Sequence, residues 1–193
     1  SIAGADGTAV GIARRNSDVD VQLYLGIQNG AMYRTDLDPN IGYVQINPEG
    51  SSSQFVTYFY LDPNNNDLLY YAGNQILYRT DDAENVTSSD WSNLGSLPEV
   101  LDNLKTFATT RGTYDPSTSY LLIGGDDGSI FKVNDPKNIA SISTATNITP
   151  PSASAGSIVS GLAIHPTNPD IVLAVYANYG IENIFLLLIF SER

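Results

Sequence analysis

Leu23-Tyr24-Leu25-Gly26-Ile27-Gln28-Asn29-Gly30-Ala31-Met32-Tyr33-Arg34-Thr35-Asp36 reads as one β-hairpin. An apolar strand runs into a turn bounded by two glycines, and an aromatic residue leads the returning strand. The design returns at Leu121-Leu122-Ile123-Gly124-Gly125-Asp126-Asp127-Gly128-Ser129-Ile130-Phe131-Lys132. Gly26, Gly30 and Tyr33 keep their offsets as Gly124, Gly128 and Phe131. A third copy, Leu69-Tyr70-Tyr71-Ala72-Gly73-Asn74-Gln75-Ile76-Leu77-Tyr78-Arg79-Thr80-Asp81, restates Tyr-Arg-Thr-Asp after a turn two residues shorter. A fourth is looser: Ile171 to Tyr176, a turn through Asn178 and Gly180, then Asn183-Ile184-Phe185.

Each hairpin follows another apolar strand and a turn rich in Asp, Asn and Pro. The strands are Val10 to Ala13, Val56 to Leu61, Thr106 to Thr110 and Ser160 to Ile164. Proline presets φ in such turns, and Asn or Asp closes them through the side chain. After the first three hairpins come short strands at Tyr43 to Ile46, Trp91 to Leu94 and Ile142 to Ile148. The aromatics Tyr33, Tyr78, Phe131 and Phe185 stand 45, 53 and 54 residues apart. Four antiparallel strands in a repeat of this length make one propeller blade. The expectation is therefore an all-β protein, a single propeller-type domain over 1–193. Its four blades fall at 9–48, 55–96, 104–150 and 158–193, as a closed ring or an incomplete one. A β-sandwich would have no reason to repeat Tyr-Arg-Thr-Asp in successive hairpins. Helix is expected nowhere except one turn at Pro98 to Leu104, because no apolar pattern of helical period persists.

Composition narrows the function classes. The 193 residues carry a net charge of −12, with Lys and Arg scattered. Such a surface repels phosphate backbones and anionic lipid, so neither nucleic acid nor membrane is an expected partner. There is no cysteine, which removes disulfides, thiolate metal sites and cysteine nucleophiles. The longest apolar run, Ile184 to Phe190, is too short for a membrane helix.

The stretch Gly161-Leu162-Ala163-Ile164-His165-Pro166-Thr167-Asn168-Pro169-Asp170-Ile171-Val172, with the Gly turn and Tyr-Arg-Thr-Asp of the earlier repeats at 33–36 and 78–81, resembles the BNR/Asp-box class of propellers. That class includes sialidases, xyloglucanase-like glycosidases, sortilin-type domains and photosystem-assembly-like propellers. Ser-x-Asp-x-Gly-x-Thr-Trp, the defining box, is absent; Arg34-Thr35-Asp36 and Arg79-Thr80-Asp81 look like degenerate remnants, and Ser89-Asp90-Trp91 has another spacing. The resemblance implies a ring of more blades than the four here; the expected setting is secreted or periplasmic, and the expected partner a glycan or protein ligand.

Few residues suggest chemistry. His165 is the single histidine, and its place in a Pro-rich turn accounts for it without a triad or a zinc site. Asp126-Asp127, Glu49, Glu99, Asp102 and Glu182 could supply a glycosidase acid pair, but Asp126-Asp127 beside glycine is also what a hairpin turn requires. Asp62 to Asp67 and Asp36 to Asn40 are oxygen-rich without the spacing of a calcium loop. A sialidase would need an arginine cluster, and Arg34 and Arg79 are repeat residues instead. Neither a cofactor nor a metal is expected. The ligand-contact candidates are the turn residues Gln28, Asn29, Asp126 and Asp127. With them stand Tyr176, Asn178, Tyr179 and Glu182, whose aromatic and polar mix suits stacking on sugar rings.

The expected function is a non-catalytic binding or scaffold module. The alternative is a piece of a carbohydrate-active propeller whose catalytic residues lie elsewhere. Leu186 to Phe190 is apolar at every position and is expected to be buried, against Ser1 to Thr8 in a closed ring or across a homodimer joined at the terminal blade edges.

Overall fold

The computed structural model describes residues 6–17, 20–38, 42–98, 103–153, 156–177 and 183–189. Among them are fifteen strands in four antiparallel sheets, each in chain order. Sheet 1 is β1 (Gly7–Ser17), β2 (Asp20–Ile27), β3 (Met32–Asp36) and β4 (Val44–Gln45). Sheet 2 is β5 (Phe59–Leu61), β6 (Leu69–Gly73), β7 (Ile76–Thr80) and β8 (Ser92–Ser96). Sheet 3 is β9 (Leu104–Thr109), β10 (Tyr120–Gly125), β11 (Ile130–Asn134) and β12 (Thr146–Asn147). Sheet 4 has three strands among the described residues: β13 (Ile158–Ile164), β14 (Ile171–Ala177) and β15 (Ile184–Leu188). Helical structure among these residues is one 3-10 turn, Gln28–Gly30. Leu104 opens a strand, where a helical turn was expected, because Leu104 pairs with Gly125 and so joins the sheet ladder.

The chain divides into two compact units, Ser1–Leu94 and Gly95–Arg193. The first holds sheets 1 and 2 and the second holds sheets 3 and 4, with β8 running across the boundary. Within each unit the two sheets pack face to face, and the face turned toward the partner sheet is called inner below.

In the first unit Ala13, Tyr24 and Met32 of sheet 1 share one core with Leu69, Tyr71 and Tyr78 of sheet 2. Glycine sets the approach: a Cβ on Gly11 would lie 3.1 Å from the Phe59 ring, so the ring rests on bare backbone. Trp91 lies 6.0 Å from Tyr71 and donates its indole N–H to the Ile46 carbonyl at 2.7 Å. In the second unit Tyr120 and Leu122 of sheet 3 meet Ile164 and Val172 of sheet 4. Here a Cβ on Gly124 would come within 2.7 Å of Val159, so the contact exists only with glycine there. Each buried large side chain contributes about 1.5–3 kcal/mol by leaving water.

Strand pairing and burial bear on two expectations; Ser1 to Ala5 and Phe190, which they also involve, lie outside the described residues. Gly7 pairs with Ile27, so Gly7 and Thr8 extend β1 in sheet 1. Leu186 and Leu188 are 68% and 57% exposed, while Leu187 and Ile189 pack toward the core of the second unit. Successive side chains on a strand point to opposite faces, so an all-apolar β15 buries one set and leaves the other open.

The turns after the first strand share one chemistry. Asp62 Oδ1 accepts from the Asn64 N–H at 2.7 Å, and Asp115 Oδ1 accepts from the Ser117 N–H at 2.8 Å. His165 Nδ1 takes the same part, accepting from the Thr167 N–H at 3.3 Å and the Asn168 N–H at 3.1 Å. Each sits before proline or its equivalent, closing an Asx-type turn with the side chain.

Candidate functional site

The turns between second and third strands hold most of the ligand candidates. Asp126 Oδ1 accepts from the Asn103 N–H at 2.8 Å, and its Oδ2 accepts from the Asn103 side-chain amide at 2.6 Å. Lys105 Nζ stands 3.9 Å from the same oxygen. Asp127 Oδ1 accepts from the Ser129 N–H, and Oδ2 from the Ser129 hydroxyl, both at 2.9 Å. Both carboxylates thus hold the turn, with their oxygens turned to local donors. The Gly156 N–H reaches the Asp127 carbonyl at 2.8 Å, fixing the turn to the segment that leads into β13.

The first unit repeats the arrangement at the backbone. The Asn29 N–H donates to the Phe55 carbonyl at 3.0 Å, in the segment leading into β5. Asn29 holds φ 59°, a left-handed conformation that asparagine tolerates. Gly30 follows at φ 77°, where a Cβ would come within 2.3 Å of Ser53. Gln28 is half-buried and Asn29 is exposed.

Tyr176, expected as a ligand contact, is 3% exposed. Its hydroxyl donates to the Gly128 carbonyl at 3.1 Å, across from sheet 4 to the turn of sheet 3. Phe185 meets it edge to face at 5.3 Å. The first unit has the same device: the Tyr71 hydroxyl of sheet 2 donates to the Gly30 carbonyl of sheet 1 at 2.7 Å, and Tyr78 meets Tyr71 edge to face at 6.3 Å. Burial pushes the Tyr71 hydroxyl pKa up, and that of Tyr176 up to about 12 with Asp127 adding to the rise, so both stay neutral donors. The glycine turns at Gly30 and Gly128 are therefore latch sites between paired sheets. Asn178, Tyr179 and Glu182, like Glu99 and Asp102, lie outside the described residues.

Sequence reasoning also missed a polar network in the first unit. Arg15 donates to Asp67 at 2.6 Å, to Gln22 at 2.7 Å and to the Tyr24 hydroxyl at 2.6 Å. Arg34 donates to the Glu84 carbonyl, and Gln22 to the same carbonyl at 3.1 Å. Nothing in the Arg14-Arg15 pair announced this, because the partners come from three separate strands and loops. Among the described residues no group of three or more His, Asp or Glu side chains is placed to hold a metal ion. Among the described residues no helix is long and apolar enough to cross a membrane.

Concave surfaces occur among the described residues of the first unit. One, of about 430 Å³, is polar and lined by Gln45, Asn47, Glu49, Ser51 and Ser88. The other, of about 490 Å³, runs between β1 and β5 along Val10, Ile12, Phe59, Tyr60 and Pro63. The outer face of sheet 4 is also open, with Ile184, Leu186, Leu188, Leu173 and Ile158 at 41–68% exposure.

Four antiparallel sheets, repeating in chain order, match one solved architecture. The chain has a propeller-like all-β fold. It aligns at a TM-score of 0.54 and 12% identity with a β-propeller chain, from a crystal structure of BBS1N in complex with ARL6DN soaked with mercury. The alignment covers 98% of this chain and 53% of that one, so the propeller-like chain spans about half the length of its structural neighbour. At this identity the likeness is one of fold. No family model matches the sequence, and no curated protein matches it.

Proposed function

We propose that this chain is a non-catalytic binding or scaffold module of the BNR/Asp-box type, acting through its open sheet faces. The observation that carries the reading is the division of labour among its side chains. Asp126, Asp127, His165 and Tyr176 are engaged in holding turns and sheets together, while the apolar outer face of sheet 4 stands uncovered. A contiguous apolar surface of this kind marks an interaction site. A propeller-like fold supports many functions, so the reading rests on that face and not on the fold.

The reading is tested in two parts. Aryl-glycosides incubated with pure protein are expected to show no turnover; turnover abolished by Asp126→Asn would overturn the proposal. An apolar dye such as bis-ANS is expected to bind the native chain, with Leu186→Glu removing most of the signal. A native chain that leaves the dye dark has no available apolar face and sinks the scaffold reading.

A second reading, a piece of a carbohydrate-active propeller, draws on the polar pocket of the first unit. Amides, hydroxyls and the single carboxylate of Glu49 suit hydroxyl-rich ligands. Calorimetric titration with neutral oligosaccharides, compared between the parent and Glu49→Ala, decides it.

A further inference from the structure

The polar pocket of the first unit has walls that are held from behind. Its lining residues all fall within Ser1–Leu94. Amides, hydroxyls and one carboxylate surround about 430 Å³, inside the roughly 300–1,000 Å³ of small-molecule sites. Ile46 is buried between Gln45 and Asn47; its N–H donates to the Met32 carbonyl at 2.8 Å, and its carbonyl accepts from the Trp91 indole at 2.7 Å. Gln45 Nε2 donates to Asn47 Oδ1 at 2.8 Å, which sets the two amides side by side. The Ser51 N–H closes a β-turn onto the Pro48 carbonyl at 3.1 Å, with Gly50 at φ 69° in its third position. The Glu49 N–H donates to the Ser88 carbonyl at 2.8 Å and ties that turn to Ser88. Walls fixed in this way spare a ligand the cost of ordering them.

Charge in the pocket is one-sided. Among the described residues its lining includes neither lysine nor arginine. The arginines of the same unit are occupied elsewhere: Arg15 with Asp67, Arg34 with the Glu84 carbonyl and Arg79 with Asp81. Glu49 is exposed, and no ion pair among the described residues includes it. The whole chain carries a net charge of −12. That field repels an anionic ligand and draws in a cationic one. A neutral ligand would leave the Glu49 carboxylate without a counter-charge.

We propose that this pocket binds a protonated amino sugar, with the ring hydroxyls on the amides and hydroxyls of the lining and the ammonium on Glu49. This rests on the carbohydrate reading above and names the ligand class of that same pocket. The division of the lining carries it. Amides and hydroxyls both give and accept hydrogen bonds, as sugar hydroxyls do, so they match a ring in several orientations. The single carboxylate accepts only, and an ammonium gives it a charge-assisted bond that a hydroxyl does not. One fixed charge among neutral groups selects where the amine goes, and the neutral groups select the ring that carries it.

Calorimetric titration of the full 193-residue chain with a glucosamine trisaccharide and with its N-acetylated counterpart tests this. The two share a ring framework and differ in charge at about pH 6, where an amine ionising in the α-amino range of about 7.7–8.0 keeps its proton. The amine form is expected to bind about fivefold tighter than the acetylated one, and Glu49→Gln to abolish that margin. Gln45→Ala is expected to weaken both forms about threefold or more. Circular dichroism checks the fold of each variant, with Glu49→Ala and Ser88→Ala as replacements for one that misfolds. Equal binding of the two sugars that falls with Gln45→Ala overturns the amine preference and leaves the carbohydrate reading standing. Binding of neither sugar sinks both. Amine binding that ignores Gln45→Ala is adsorption to an acidic surface and overturns the proposal. So does a preference that survives Glu49→Gln, and so does a lysine derivative with a free ε-amine that binds as tightly as the trisaccharide, since the pocket then reads only the ammonium.

Discussion

The two units close their paired sheets with the same device and different material. The first uses rings: Phe59 lies on Gly11 and Gly26, and Tyr71 sits between Tyr78 and Trp91 with its hydroxyl 2.7 Å from the Gly30 carbonyl. The second uses branched aliphatics: Val159 presses on Gly124, and Tyr176 reaches the Gly128 carbonyl at 3.1 Å with Phe185 edge to face. What the units share is a glycine floor on the accepting sheet and a buried tyrosine donor on the other. The backbone contacts are the common element, and the side chains that fill around them are interchangeable within the volume available.

The largest expected effect comes from removing the glycine floor. Gly30→Val places a branched Cβ at φ 77° and within 2.3 Å of Ser53, so it is expected to cost about 3–5 kcal/mol or prevent folding. Gly124→Val meets Val159 at 2.7 Å with ordinary φ and is expected to cost about 1–3 kcal/mol. Urea unfolding midpoints give both values; equal costs would mean that positive φ adds nothing at Gly30. The latches come next. Tyr71→Phe leaves a buried carbonyl without its donor and is expected to cost about 1–3 kcal/mol. Tyr176→Phe, with the longer bond, is expected to cost about 1 kcal/mol. The reverse order would show that the aromatic surround, and not the hydrogen bond, decides the latch.

Alkali offers a graded test of the same groups. Burial pushes the hydroxyl pKa values of Tyr24 and Tyr176 from 10.0 up to about 12, with Arg15 opposing the rise at Tyr24. Unfolding lets each ionise near its ordinary value, so their contribution is whole below pH 10 and is lost as pH climbs from about 10 to about 12. Thermal unfolding temperature is expected to fall across that window, and Tyr176→Phe to make the fall shallower. A flat profile between those limits would contradict the burial of both hydroxyls. The smallest effect belongs to the x-Pro turns. Because Asp62 and Asp115 do what His165 does, His165→Asp is expected to change stability by less than about 0.5 kcal/mol, and His165→Ala to cost about 1 kcal/mol. A large loss with Asp would give the imidazole a role beyond the turn.

Much of this was legible in the chain itself. Period-two apolar runs between Asn, Asp, Gly and Pro clusters gave the strands at Leu69, Tyr120 and Ile171 nearly residue for residue, since both signals act over a few neighbours. The turn role of His165 was equally local. The ligand reading of Gln28, Asn29, Asp126 and Tyr176 rested on polar or aromatic residues beside glycine, a pattern shared by binding loops and by turns that dock another sheet. Choosing between them requires the partner sheet, 40 or more residues away in the chain.

The sequence by itself determined four copies of a hairpin, their all-β character and the absence of thiol chemistry, because composition and short-range periodicity fix backbone preference. It presented Tyr33, Tyr78, Phe131 and Phe185 as one repeated position. Only the tertiary structure divided them, turning two outward and two inward, since a strand's faces are equivalent until another sheet covers one of them. The same covering decided that Leu187 is interior and Leu186 is surface, though neither residue nor its neighbours in the chain distinguishes the two.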